Sequence, residues 1–481
     1  MTDKKLTKAE WGRLEKALCR VRKPVWSLLT GVGRAQAMDF CEGYKAFLGE
    51  AKTERETVAW IDRTARRHGF LPADEAGSDT GRLLWNFRGK AAALAVVGRR
   101  PLARGVRIIA SHVDAPRLDL KQNPLYEDLN LAFLKTHYYG GIKKFQWVAR
   151  PLALHGLVLK EDGTEVHVRI GEAAGDPVFT INDILPHLAS KIQGDKKLSE
   201  AVPAEKLNIL VGGLPLAGPD GSNNPIKLGL LKMLHERYGL VEEDLISAEL
   251  EIVPAGGARD VGLDGAFVGA YGQDDRACAY CSLWSVIELE SPETTAIALF
   301  LDKEEIGSDG NTGAKSRFLE LILYDLMRRA GGPLMPDSVV RTLWRSKAIS
   351  ADVTAGVDPD YIEVHEKGND ALVGYGVCLT KYTGSRGKLQ ANDAHAEYVN
   401  WVRRSWNRAA VVWQAGELGK VDVGGGGTVA KYLAQHGLDI LDAGPPLLSM
   451  HSPFEVAHKA DVFMSYRAFQ AFFSEKETPE R

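Results

Sequence analysis

The sequence predicts an α/β protein interrupted by an inserted, β-rich unit. Three observations carry that expectation. Apolar strand runs alternate with helical periodicity on both sides of a middle region. Polar clusters sit at the ends of those apolar runs, where an open α/β sheet binds its ligands. Between about 119 and 252 the pattern shifts to short apolar runs joined by turn residues.

The elements follow in order. Residues 5–21, 34–49 and 54–68 carry helix formers with apolar positions at helical spacing. A strand at 106–110 stops at Ser111-His112-Val113-Asp114. In the middle region, 152–159 and 165–170 read as strands around an Asp162-Gly163 turn, a hairpin signal. Residues 184–192 and 228–238 read as helices, and 218–225 as a loop. The α/β pattern then returns, with a helix at 276–288, a buried strand at 296–301, and 421–433 running through four glycines into a helix. The tail 475–481 is expected to fray. The expected division is 1–118 and 253–481 for the α/β domain and 119–252 for the insert.

Length and composition bound the function. At 481 residues the chain exceeds one ordinary domain. Apolar residues make up 45% and charged residues 26%, the balance of a globular protein. A net charge of −3 gives no global case for binding nucleic acid or an anionic membrane. Five scattered cysteines do not form a disulfide framework, and Cys278-x-x-Cys281 lies in a helical pattern and reads as packing. The opening MTDKKL has no apolar core of a secretory signal, and no apolar run is long enough to span a bilayer. The cytoplasm is the expected location.

Four clusters carry chemistry. His112 with Asp114 two residues on is either a metal-ligating imidazole oriented by a carboxylate or a plain polar strand end. Gly272-Gln273-Asp274-Asp275-Arg276 precedes a helix, so an aspartate there is either an N-cap or a carboxylate shared by two cations. Glu304 and Glu305 adjoin at the end of a buried strand, where paired like charges call for a cation. One would be a ligand and its neighbour a general base. Asp352, and His451 before a Ser452-Pro453-Phe454-Glu455 stretch that reads as a helix capping box, complete the set. Glycines 424–427 lack the spacing of a phosphate loop and read as a tight turn with close backbone approach.

In this order and at these separations, the clusters resemble the aspartyl aminopeptidase family of dinuclear metallopeptidases, closest to its bacterial branch. The matching stretches are 111–120, 138–147, 272–280, 302–308, 350–352, 421–433 and 450–461. The resemblance implies two divalent metal ions held by His112, Asp274, Glu305, Asp352 and His451, with Asp274 bridging and Asp275 beside it. It implies Glu304 as general base and Asp114 as the carboxylate orienting His112. The mixed N/O set suits zinc, and also cobalt or manganese. It further implies a mixed-sheet catalytic domain flanked by helices, an inserted β-rich dimerisation domain, and dimers assembling into a tetrahedral dodecamer that admits unfolded peptides. The expected activity is hydrolysis of the N-terminal residue of peptides by a metal-activated water.

Two positions depart from the family pattern. Ala355 and Phe145 stand where animal relatives carry histidines that assist substrate binding. Lys381 aligns with a lysine associated with acidic substrate side chains, so an acidic N-terminal residue is one expectation and a solvated loop lysine the other. An amidohydrolase of N-acylated amino acids using the same metal pair, and a non-catalytic assembly protein, are the competing readings.

Overall fold

The computed structural model describes residues 5–331 and 334–476; residues 477–481 of the expected frayed tail lie outside them. The fold is α/β and is organised by a nine-stranded mixed sheet. At its centre four strands run parallel: Ala296–Leu301, Arg107–His112, Lys347–Ala351 and Asp439–Gly444. All four are buried along almost their whole length. That explains why they read as continuous apolar runs rather than alternating ones. Parallel register brings their carboxyl ends to one edge, with Leu301 opposite His112 and Ala351 opposite Ala443. Antiparallel strands Ala91–Val96 and Val377–Thr380 flank the quartet and make the sheet mixed.

Helices cover both faces. The helix Gln273–Ile287 lies on one face with every residue buried except Trp284. Cys278 and Cys281 are free thiols packed inside it. Helices Gly31–Glu50 and Lys459–Ser474 pack around it, and Phe318–Arg329 covers the other face of the sheet. The predicted N-terminal helices appear as Lys8–Leu18, Gly31–Glu50 and Glu54–Arg67. Two of them start with the Thr-x-x-Glu capping box, at Thr7 and Thr53.

Between Arg117 and Pro254 the chain builds a separate seven-stranded antiparallel sheet with its own apolar cluster. The hairpin Leu152–Leu159/Glu165–Ile170 pairs as the Asp162-Gly163 signal predicts. The sheet's first and last strands, Arg117–Asp128 and Glu249–Pro254, are neighbours, with Glu251 opposite Asp119. The chain therefore leaves and rejoins the α/β unit at adjacent points.

A third, five-stranded sheet contains Phe267–Ala270, Glu455–His458, Pro446–Leu448 and Thr354–Ala355. It corrects one expectation. Ser452–Glu455 caps no helix; Glu455 opens a strand that pairs with Pro446–Leu448 across a turn containing His451. The following helix starts at Lys459, capped by the His458 side chain. The Glu455 carboxylate instead accepts from the backbone amides of His451 and Asp274. No helix among the described residues is long and apolar enough to cross a membrane.

Candidate metal centre

The four polar clusters meet at the carboxyl edge of the parallel quartet. His112 ends its strand with the imidazole buried. Its Nδ1 faces the Asp114 carbonyl at 3.1 Å and Asp114 Oδ1 at 3.3 Å, both acceptors, so Nδ1 carries the ring proton. Its Nε2 faces Asp274 Oδ1, 3.1 Å away, with Asp352 Oδ1 at 4.0 Å.

His451 repeats the arrangement. Its Nδ1 donates to the Gly141 carbonyl at 3.0 Å. Its Nε2 faces Asp274 Oδ2 at 3.1 Å and Glu305 Oε1 at 3.4 Å. The two oxygens of Asp274 are thus divided between two imidazole Nε2 atoms. Each contact needs a proton or a cation between the two atoms. Glu305 Oε1 is buried without a hydrogen-bond partner. His112, Asp274 and Glu305, and also His112, Asp275 and Asp352, bring ligand atoms within 4.8 Å of one another. The donor set of imidazole and carboxylate fits a zinc-like divalent ion.

Local chain geometry builds this cluster. Gly272 adopts φ +67°, where a side chain would collide with the Arg276 guanidinium. Arg276 in turn donates to the Tyr271 and Gly272 carbonyls at 2.7 and 2.8 Å. The two aspartates divide the roles that the sequence left open. Asp275 is the helix cap, accepting from the Cys278 amide at 3.4 Å, and its other oxygen accepts from the His112 amide at 3.3 Å. Asp274 turns into the site. Glu455 accepts from the amides of His451 and Asp274 at 2.7 and 3.1 Å, fixing two elements of the cluster from one carboxylate.

Asp114 does the same on the opposite side. Its Oδ1 accepts from the Glu304 amide and its Oδ2 from the Glu305 amide, both at 3.1 Å. The single helical turn Glu304–Ile306 is therefore held by its first amides, and Tyr139 Oη adds a further donor to Asp114 at 2.8 Å. Sequence reasoning assigned no part to Tyr139, Gly141 or Glu455. The signal for the first two was present in the 138–147 stretch, and Glu455 was hidden by its resemblance to a cap.

The cluster packs buried carboxylates against two imidazoles, and each group shifts the others. Burial raises Glu304 to about 7, and burial with the Asp274 charge lifts Glu305 well above the carboxylate range. Burial and the neighbouring aspartates do the same to Asp352. Burial opposes charge on Asp274, but hydrogen bonds to both histidines hold its pKa low. Burial likewise opposes charge on His451, yet the Asp274 bond and the Glu305 charge push it to about 10.

A cavity of about 210 Å³ opens beside the cluster. Asp274, Glu304, Glu305, Asp352 and His451 line it together with Asp442, Thr428 and glycines 425–427. The glycine turn behaves as expected: a Cβ on Gly424 would lie 1.8 Å from the Leu418 carbonyl. Lys381 is not part of this wall. It follows the strand Val377–Thr380, its side chain is 48% exposed, and its Nζ lies 3.9 Å from Asp393 Oδ1. Phe145 is exposed, and Ala355 ends a strand of the small sheet.

Known proteins share this architecture. The family profile described as Aminopeptidase I zinc metalloprotease (M18) matches residues 47–473. The M18 family aminopeptidase 1 of Thermotoga neapolitana is 46% identical over 458 residues, 94% of this chain and 99% of that one. The crystal structure of the M18 aminopeptidase from Thermotoga maritima superposes with a TM-score of 0.91 at 45% identity, covering 95% of this chain and 99% of that one. The Saccharomyces cerevisiae mApe1 dodecamer shares the fold, with a TM-score of 0.73 at 22% identity, covering 91% of this chain and 96% of that one.

Proposed function

The chain belongs to the M18 family of zinc metallo-aminopeptidases and is a hydrolase of that class, and from that premise we propose which residues perform the reaction. His112, Asp352 and Asp274 would hold one divalent ion, and His451, Glu305 and Asp274 the other. The observation that carries this reading is Asp274, each of whose oxygens lies 3.1 Å from a different histidine Nε2. Two divalent ions would supply Lewis-acid polarisation of the scissile carbonyl and acidify a water between them. Zinc is the proposed metal, with cobalt or manganese accommodated by the same donors.

The chain's own groups do the rest. Glu304 takes the proton of the attacking water on its carboxylate and returns it to the leaving amine nitrogen. Its position on the cavity wall and its raised pKa support that role. Asp114 positions Glu304 and Glu305 through their amides and orients His112, so it acts through other residues.

The substrate is the free N-terminus of an unfolded peptide, and we place the protein in the cytoplasm. Four of its five cysteines are buried free thiols, which suits a reducing compartment. The insert, residues 119–252, is proposed as the dimerisation domain, and dimers are proposed to assemble into a tetrahedral dodecamer. The fold shared with the mApe1 dodecamer supports this assembly.

Purified protein loaded with metal, assayed against aminoacyl reporter amides and N-acylated amino acids, tests the reading. Release from free-amine amides, abolished by a chelator and restored by zinc, is expected. Turnover confined to acylated amino acids would replace the reading with an amidohydrolase.

A further inference from the structure

A second cavity shares no lining residue with the one beside the metal cluster. It encloses about 720 Å³ between the irregular stretch 19–24, the helix Ala396–Arg408 and the edge strand Trp413–Ala415. Among the described residues its wall contains five cationic side chains, Arg20, Arg22, Lys23, Arg403 and Arg404, and no aspartate or glutamate. That is a local excess of positive charge in a chain whose net charge is −3. Three of the guanidinium groups are anchored. Arg20 donates to the Trp413 carbonyl at 3.1 Å and stacks on that indole, 4.3 Å from the ring centre. Arg22 donates to the carbonyls of Gly368 and Asp370. Arg403 donates to Asn400 Oδ1 at 2.8 Å. These acceptors are uncharged, so the bonds fix the side chains without neutralising them. Glu366 is an acidic neighbour of Arg22, but its oxygens accept from the Gly368 amide and the Asn369 side chain. Burial, and then the charges of Arg22 and Arg403, hold Arg20 below the ordinary arginine pKa, so the cations repel one another.

We propose that this cavity binds a compact oligophosphate anion, either an inorganic chain or the phosphate tail of a nucleoside triphosphate. A guanidinium fork pairs two N–H groups with two oxygens of one phosphate, and successive phosphates offer an anionic centre to each cation. Arginines already anchored lose little side-chain freedom when the anion arrives. A terminal phosphate brings three acceptor oxygens and about two charges, against two oxygens and one charge for a carboxylate. That favours phosphate over an acidic peptide as the occupant. Duplex nucleic acid calls for a basic stripe or face rather than an enclosed cavity. The bound anion would tie the stretch 19–24 to the sheet edge at Trp413, through cations that the hydrolytic reaction leaves unused.

The experiment is isothermal titration calorimetry of the metal-loaded protein in zinc-buffered solution, with inorganic triphosphate, ATP, adenosine and sulfate as probes. Triphosphate and ATP are expected to bind once per chain and adenosine not at all. Sulfate at matched ionic strength should bind on the order of tenfold more weakly or worse. ATP binding tighter than triphosphate identifies a nucleotide as the source of the phosphates; the reverse order identifies an inorganic chain. Lys23→Gln combined with Arg403→Gln is expected to weaken triphosphate by on the order of tenfold or more, while reporter-amide turnover stays at the wild-type level. Both side chains are exposed. Arg22→Gln should show the same loss; if that variant loosens the N-terminal stretch, the exposed pair still decides. Unchanged triphosphate affinity in the double variant would overturn the proposal, because an anion held at the metal centre would not feel either substitution. So would sulfate binding as tightly as triphosphate, or an oligoglutamate peptide that displaces triphosphate at lower concentration than ATP does.

Discussion

At the scale of single residues, the site is a balance of acceptors. Asp274 and two imidazoles converge with Glu305 and Asp352, and among the described residues no lysine or arginine lines the cavity beside them. Divalent ions would reverse that repulsion, so chelation should lower thermal stability as well as activity. At a free-metal level 100-fold above Kd, the gain on reloading is about 2.7 kcal/mol. Differential scanning calorimetry with and without chelator measures it. Glu304 is the side chain whose loss should separate binding from chemistry. Glu304→Gln keeps the Glu304 amide on Asp114 and leaves the ligand set untouched. Metal content measured by elemental analysis should therefore stay at the wild-type level while kcat falls ~10²–10⁴-fold. Near-wild-type turnover would remove Glu304 as the base. Tyr139 acts one step further out, through its bond to Asp114. Tyr139→Phe should weaken metal affinity by about tenfold, the low end for an outer-shell partner. Titration of the apoprotein with zinc reads this directly; unchanged affinity would make the hydroxyl dispensable.

At the scale of elements, two strands of the parallel quartet, Arg107–His112 and Ala296–Leu301, were legible because they are buried on both faces and end in polar residues, whereas Lys347–Ala351 and Asp439–Gly444 were not read as strands. Ala296–Leu301 could hardly be anything else. The polar clusters stood out for the same reason, since each lies at or just after the end of an apolar run, but their roles came from the family resemblance. Glu455 was not, because Ser-Pro-x-Glu has the local pattern of a helix start. Pairing of Glu455–His458 with two partner strands overrode that propensity. The role of Tyr139 was hidden because it depends on a contact between the insert and a turn far along the chain. The same holds for the ionic seam that joins the helix Glu54–Arg67 to the inserted sheet. Arg117 pairs with Glu54 and Glu251, and His155 lies between Glu56 at 2.8 Å and Glu172 at 3.0 Å. Burial opposes charge on His155, but the bonds to Glu172 and Glu56 raise its pKa above 6.5. Its contribution to stability is therefore complete below pH 6.5 and is lost as pH rises through the folded-state value. Despite burial, bonds to His155 keep Glu56 and Glu172 below 4.5, so their contribution is present above that pH and lost in acid. The seam should be strongest between about pH 4.5 and 6.5. His155→Gln should cost about 1.5–3 kcal/mol at pH 6 and progressively less at alkaline pH. Urea unfolding of both proteins at pH 6 and pH 9 measures it; a pH-independent difference would mean His155 is neutral in the folded state.

At the scale of the whole molecule, the insert does two things at once. Its strand Leu131–Tyr139 delivers Tyr139 and, just beyond, Gly141 to the metal cluster. It also carries exposed Leu129, Leu188, Leu198 and Leu214. Under the proposed assembly, a neighbouring copy covers part of this apolar surface. If the insert is held by a neighbouring subunit, the Tyr139–Asp114 and Gly141–His451 contacts are held with it. Assembly and activity should then fall together. Light scattering should give a particle of twelve chain masses at working concentration. A paired substitution on the outer face, Leu188→Glu with Leu214→Glu, should yield smaller species. Those species should bind zinc more weakly and turn over reporter amides more slowly, although neither position touches the cluster. Dissociated protein with wild-type zinc affinity and kcat would uncouple the two roles and leave the insert a purely architectural element.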